Sequence, residues 1–432
     1  MGDRDREVLS DDAPLVEHPV ARRLPGRRKA GAASVSVDQQ QVQSRVSGKG
    51  DADAESRAGD DSAFPDYLTP LELFARARET KQPVRICAPM VRYSKLGFRE
   101  LVRAFGCDLA YTPMTVAENF ILSKRGRDND FSTNEYDHPV IVQFAAKHTE
   151  MLCTAAEMVA PYVDGIDINC GCPQRWAMSE GYGSALLRKP QLIYDMVRAA
   201  KSRITIPVSV KIRINLDFKK TIELAQTAER AGADWIAVHG RTPSMRHEPV
   251  ILEGIKAVKD NVSIPVVANG DINSMLDVNA VAAATGVDGV MSARGLLANP
   301  ALFGGYAFAP ASCLDKWIQI ALSSRIPYSL FHTHVMNMDD PRVLSKEARA
   351  RFFATQSYDD GIAELKREHP SIQAHLAPLQ PERHCEKVID AGDEPNKKAR
   401  RAAILGLPLE PELPANPSAD ADDSSDVALI PW

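Results

Sequence analysis

Apolar and polar positions along the chain repeat in a fixed order. Runs dominated by Val, Ile, Leu and Ala open after a proline at Pro83 (Val84 to Ala88), Pro139 (Val140 to Phe144), Pro207 (Val208 to Ile212) and Pro265 (Val266 to Ala268). Between them lie runs opened by an aspartate, at Asp108 (Leu109 to Tyr111), Asp164 (Ile166 to Ile168), Asp234 (Trp235 to Val238) and Asp288 (Val290, Met291). The two series alternate, with proline openers 56, 68 and 58 residues apart and aspartate openers 56, 70 and 54 apart. Each period therefore holds two strands and two connecting segments. The connections Leu96 to Phe105, Met151 to Tyr162, Gln191 to Arg203, Lys219 to Ala231, Leu252 to Lys259 and Ser274 to Ala284 read as helices, with apolar pairs such as Ile222 with Ala225 and Leu224 with Ala228. Strands this rich in β-branched residues, most followed by a helix, predict a parallel sheet covered on both faces. Eight of them in succession predict an α/β fold, a (β/α)8 (TIM) barrel over 64–308. A doubly wound open sheet would place a glycine-rich fingerprint after the first strand, and Ala88-Pro89-Met90 is not one.

Composition sets the flanks apart. Residues 1–63 are rich in Ala, Ser, Gly, Asp, Arg and Gln, and 371–432 are acidic and Pro-rich; both carry too little apolar area to offset chain entropy and are expected to be disordered tails. Residues 309–370 are expected to form a small helical domain, with Trp317, Ile318, Ala321 and Leu322 on one helix and Arg349, Arg351, Phe352 and Phe353 on another. The net charge is -5, and the excess acid sits in the tails, so the body neither requires nor excludes a nucleic-acid partner. Seven cysteines without regular spacing fit a reducing compartment better than a disulfide framework. The N-terminal residues are studded with charge, and no run reaches the ~18 apolar residues of a membrane span. The chain is thus expected to be neither secreted nor membrane-bound. The basic run Lys397, Lys398, Arg400, Arg401 leaves nucleus as well as cytoplasm open, although such a short run is also what a solvated surface carries.

Barrel enzymes place their chemistry at the carboxyl ends of the strands. There this sequence puts Pro89 and Met90, then Thr112, Pro113 and Met114, then Gln143, then Asn169-Cys170-Gly171-Cys172-Pro173, then Lys211 and Arg213, then His239, Gly240 and Arg241, then Asn269, Gly270 and Asp271, and last Ala293, Arg294 and Gly295. The last two groups suit a phosphate, through backbone N–H groups and the charge of Arg294. Alone, Asn269-Gly270-Asp271 is equally a tight turn. Lys211 can face a flavin's N1 and C2 carbonyl, form a Schiff base, or sit in a structural ion pair. For Cys172, between a glycine and a proline, nucleophile, general acid and inert thiol all stand open. A metal site is not expected, because Cys170 and Cys172 have no companion ligand pair.

Taken in order, these residues resemble the tRNA-dihydrouridine synthases, and within them the branch acting on D-loop positions 20a and 20b. The resemblance rests on Ala88-Pro89-Met90-Val91, Val142-Gln143-Phe144, Asp167-Ile168-Asn169-Cys170-Gly171-Cys172-Pro173-Gln174, Gly181-Tyr182-Gly183-Ser184-Ala185-Leu186, Lys211-Ile212-Arg213, His239-Gly240-Arg241-Thr242, Asn269-Gly270-Asp271-Ile272 and Ala293-Arg294-Gly295. It implies an FMN-bearing barrel that takes hydride from NADPH and passes it to C6 of a tRNA uracil, with Cys172 donating a proton to C5. It further implies FMN contacts from Pro89, Met90 and Val91, from Gln143 at the ring edge, from Lys211 and His239 beside the isoalloxazine, and from Asn269, Gly270, Asp271, Ala293 and Arg294 around the phosphate. Asn169 and Arg241 would hold the uracil or a nearby RNA phosphate. Ala293 stands where many relatives carry glycine. The competing functions are an FMN-dependent reductase of a free pyrimidine, similar to dihydroorotate dehydrogenases, a non-catalytic RNA-binding barrel, and a Schiff-base lyase using Lys211.

Overall fold

The computed structural model describes residues 67–375, 384 and 403–406; the expected N-terminal tail, nearly all of the C-terminal one and the basic run at 397–401 lie outside them. Nine parallel strands form one sheet: β1 (Val84–Cys87), β2 (Leu109–Tyr111), β3 (Thr115–Val116), β4 (Val140–Ala145), β5 (Gly165–Cys170), β6 (Val208–Arg213), β7 (Trp235–His239), β8 (Val266–Asn269) and β9 (Gly289–Ser292). Their order is β2-β1-β9-β8-β7-β6-β5-β4-β3, and a further β2–β4 pairing closes the ring. The fold is the eight-stranded α/β barrel expected from the sequence. The two-residue β3 is an addition, laid against the end of β4.

The repeat has a physical cause at the N-terminal end of the barrel. Asp164, Asp234 and Asp288 each accept the first backbone N–H of a neighbouring strand, from Val140 (2.7 Å), Val208 (2.7 Å) and Val266 (2.8 Å). Asp108 accepts the N–H of Arg85, the second residue of β1, at 2.9 Å. Each aspartate returns its own N–H to the carbonyl of that same residue. Proline, lacking an N–H, opens the capped strand just before the bond is needed.

Strand alternation then sorts the two faces. Outward residues such as Ala110, Val142, Ile168, Val210 and Val238 join the surrounding helices in one large core. Inward residues Ile86, Tyr111, Ile141, Trp235, Ala237, Val267 and Met291 form a second core in the lumen, where the indole N–H of Trp235 donates to the Tyr111 hydroxyl at 2.8 Å. Helix Pro70–Thr80, started by a capping box between Thr69 and Glu72, packs Leu73 and Phe74 into that core and plugs this end.

Helices Ala311–Ser323, Tyr328–Asn337, Lys346–Phe353 and Tyr358–Glu368 follow the barrel. The first lies on helix Leu96–Ala104. Their close approach is at Gly97, where an added Cβ would sit 3.2 Å from Ile320 Cγ2 and 3.5 Å from Trp317 Cζ3. Among the described residues, no helix is long and apolar enough to cross a membrane.

Candidate active site

The inward register that is apolar at the plugged end turns polar at the other. Along β4 it runs Ile141 then Gln143, along β5 Asp167 then Asn169, along β6 Ser209, Lys211 then Arg213, along β7 Trp235, Ala237 then His239, and along β8 Val267 then Asn269. Parallel pairing holds these inward positions level, so the polar residues share one end of the lumen.

A cleft opens there, lined by Pro89, Met90, Tyr93, Lys211, Arg213, His239, Arg241, Arg246, Asn269, Gly270, Asp271, Ala293 and Arg294 among others. It brings together all but Val91 and Gln143 of the residues expected at the cofactor. Val91 follows Met90 in the same turn, in which Met90 donates its N–H to Ser94 Oγ at 2.9 Å. Five of the lining side chains are cationic and one, Asp271, is anionic. Asp271 is already engaged: Arg241 pairs with it at 2.5 Å, Arg294 lies 3.7 Å away, and its other oxygen accepts the Val250 N–H at 3.0 Å. The excess positive charge is unmatched by protein, which suits an anionic ligand.

The Lys211 ammonium donates to Asn269 Oδ1 at 2.8 Å, and the Asn269 amide donates to the Met291 carbonyl at 2.9 Å. Burial and the neighbouring Arg213 lower Lys211 to about 8, against the pull of Asp167. Burial, followed by Lys211, Arg213, Arg241 and Arg294, drives His239 far below the usual imidazole range, so it stands neutral. Gly270 has φ +114, and a Cβ on it would meet Val250 Cγ1 at 2.4 Å and His239 Cδ2 at 3.0 Å. Gly295 is as constrained, its added Cβ falling 2.1 Å from the Ile272 carbonyl. Neither position has room for a side chain, so the turns after β8 and β9 require glycine there.

Gln143, Asn169 and Cys172 form an adjoining group. Gln143 Nε2 donates to Asp167 at 2.7 Å, Asn169 Nδ2 donates to Gln143 Oε1 at 2.8 Å, and Asn169 Oδ1 accepts the N–H groups of Gly171 (3.2 Å) and Cys172 (2.9 Å). Gln143 and Asn169 are thereby committed to this chain in the free protein. The Cys172 side chain is partly exposed and packs with Met114 and Val116 against Ala145, Ala177 and Tyr182. Burial pushes its thiol above the ordinary range, opposed by the Gln174 backbone N–H and by Arg213 and Lys211. Arg241 is buried, bonded to Asp271 and to the Glu248 carbonyl, with His239 Nε2 at 3.3 Å.

Several lining residues had no assigned role in the sequence reading. Arg213 bridges loops through the carbonyls of Gly171 (2.8 Å) and Thr242 (2.9 Å), and its two-residue spacing from Lys211 marks it as inward-facing. Asp167 carries the same inward signal two residues before Asn169. Tyr93 and Arg246 come from loops and leave no periodic trace. Among the described residues, no His, Cys, Asp or Glu cluster is suited to hold a metal.

A closed barrel with a cationic cleft and a partly buried thiol at the carboxyl ends of its strands defines a ligand-binding barrel enzyme. The chain belongs to the dihydrouridine synthase (Dus) family, whose model matches residues 86–388. A Homo sapiens protein named tRNA-dihydrouridine(20a/20b) synthase-like, with NAD(P)+ in its name, is 50% identical over 306 residues, covering 70% of this chain and 95% of that one. The tRNA-dihydrouridine(20a/20b) synthase of Schizosaccharomyces pombe is 48% identical over 272 residues, covering 62% and 83%. A Rattus norvegicus protein named tRNA-dihydrouridine(16/17) synthase-like is 38% identical over 258 residues, covering 59% of each chain.

Proposed function

We propose that the protein reduces uridines at D-loop positions 20a and 20b of tRNA to 5,6-dihydrouridine, with FMN bound in the cleft and NADPH as reductant. The observation that carries this reading is the cleft itself, five cations to one engaged carboxylate, with the Cys172 loop beside it. Higher identity to the 20a/20b relatives than to the 16/17 relative supports the choice of positions.

The residues fit FMN. Backbone at Gly270, Asp271 and Ala293, with the Arg294 guanidinium, would hold the phosphate. Lys211 and neutral His239 would lie beside the ring, held by Asn269 and the strand register, with Pro89, Met90 and Val91 against it and Gln143 at its edge. When bound and reduced, the flavin supplies the hydride that C6 of the uracil receives, and NADPH restores it. Cys172 holds the proton destined for C5, and its raised pKa keeps that proton in place through neutral pH. Asn169 fixes the Cys172 backbone, and with Arg241 it would stand at the edge of the base site. A uridine in a folded loop reaches this depth only by leaving its stack, at a cost of about a few kcal/mol.

Cys172→Ala tests the reading. The purified protein should be yellow, retain FMN and be bleached by NADPH, yet form at least about a hundredfold less dihydrouridine in tRNA, read by position-resolved mass spectrometry. Near-normal product would overturn the role of Cys172. Turnover of a free pyrimidine without tRNA would overturn the RNA substrate, and a colourless protein that FMN does not reconstitute would overturn the cofactor.

A further inference from the structure

Among the described residues, large apolar side chains stand out in water on segments that follow the carboxyl ends of the strands. Trp176 is 46% exposed and Met178 39%, both on helix Arg175–Ser179, which directly follows Cys172-Pro173-Gln174. Leu216 is 72% exposed on the adjoining loop after β6. Single exposed apolar residues are ordinary on any surface, but Trp176 and Met178 share one short helix that directly follows the Cys172 loop, which marks it as a candidate interaction site.

The helix is not a loose appendage. Ala177 is fully buried with Ala145 and Tyr182, in the cluster against which Cys172 packs. The Met178 N–H donates to the Gln174 carbonyl at 3.0 Å, and the Tyr182 N–H to the Ala177 carbonyl at 2.7 Å. The indole N–H of Trp176 donates to Gln174 Oε1 at 2.5 Å, which fixes the ring. On the far side Gly183 presses on Cys172, and the Ser184 N–H donates to the Cys172 carbonyl at 2.9 Å. The helix that carries the indole is therefore packed, through Ala177, against the same cluster as the thiol. Arg175, next to Trp176 in the chain, is exposed, as is Arg246 in the lining of the cleft.

We propose that Trp176 is a stacking platform for the nucleobase next to the target uridine, and that it helps select which uridine of the loop lies over Cys172. This inference rests on the RNA reading above. Turning a uridine out leaves its neighbour without a stacking partner, and an exposed indole face four residues along the chain from Cys172 supplies one. Stacking tolerates any base, so selection here is by distance along the strand rather than by base identity.

The test compares FMN-loaded wild type, Trp176→Ala and Trp176→Phe on an unmodified tRNA transcript. Trp176→Ala is expected to raise KM for tRNA about tenfold and to redistribute dihydrouridine among D-loop uridines, while Trp176→Phe, which keeps an aromatic face, recovers most of both. Equal melting temperatures for the two variants show that the fold is not the cause. Wild-type KM and wild-type positions in Trp176→Ala would overturn the inference alone, as would equal loss in both variants. Absence of dihydrouridine with the wild-type enzyme would overturn the RNA reading and this inference with it.

Discussion

The backbone N–H of Cys172 is held by Asn169 Oδ1 at 2.9 Å, so the thiol loop is positioned by a side chain from the strand that precedes it. Asn169 is in turn clamped by Gln143, and Gln143 by Asp167, whose second oxygen accepts the Ser209 hydroxyl at 2.6 Å. The chain of bonds crosses β4, β5 and β6. Asn169→Ala removes its centre, leaving two loop N–H groups and the Gln143 carbonyl without their partner. Loss of about 1–3 kcal/mol of stability is expected from the unmet groups, seen as a lower denaturation midpoint. Dihydrouridine formation should fall about tenfold to a hundredfold, because the thiol loop loses its register. FMN content should fall far less than product formation, since Gln143 loses its clamp but the Lys211–Asn269 pair is untouched. An unchanged rate would show that the loop is positioned without Asn169.

Lys211 gives a pH signature in cofactor binding. With its pKa lowered to about 8, the free protein loses this charge as pH rises through 8, before the ordinary lysine range. FMN affinity of the apoprotein, followed by quenching of flavin fluorescence, should then weaken about tenfold between pH 7 and pH 9. Lys211→Met should bind more weakly at pH 7 and show no such slope. Lys211→Arg keeps the charge and should also be flat over this interval. A slope that survives in Lys211→Met would assign the titration to another group.

Much of the barrel was legible because its cause is local. Leu109–Tyr111 was read without error, and the other seven strands to within two residues at either end, since each is a short apolar run punctuated by proline or aspartate. The spacing showed that punctuation but not its chemistry: Asp164 taking the Val140 N–H is a contact between strands, invisible to periodicity. Helices Ala117–Leu122, Lys124–Asp130 and Arg175–Ser179 were missed, being too short to display a helical period. At the site, period-two alternation brought Lys211, His239 and Asn269 to one mouth, and the same alternation carries Arg213 and Asp167. Tyr93 and Arg246 enter from loops, where only the folded backbone decides direction.

Asp167 couples stability to the chemistry next to it. Burial raises it to about 6, in spite of hydrogen bonds from Ser209 and Gln143 and the charge of Lys211. An acid whose folded pKa exceeds its unfolded value binds more protons when folded, so its contribution is fully present below about 4 and is lost as pH rises through 6. A shift of about two units corresponds to about 3 kcal/mol at neutral pH. Asp167→Asn removes that cost and can keep the network. Its carbonyl can accept from Gln143, and its NH2 can donate to Ser209, whose proton turns to the Ile166 carbonyl already 3.4 Å away. The variant should therefore match or exceed wild-type stability at pH 7, and wild type should gain on it as pH falls from 7 to 4 in denaturant titrations. The functional consequence has the opposite sign. Without the carboxylate, Lys211 loses the first of the charges that raise its pKa, so the midpoint of the fall in FMN affinity should move below the wild-type value of about 8. A stability difference that is flat from pH 4 to 7 would show that Asp167 does not titrate in this range.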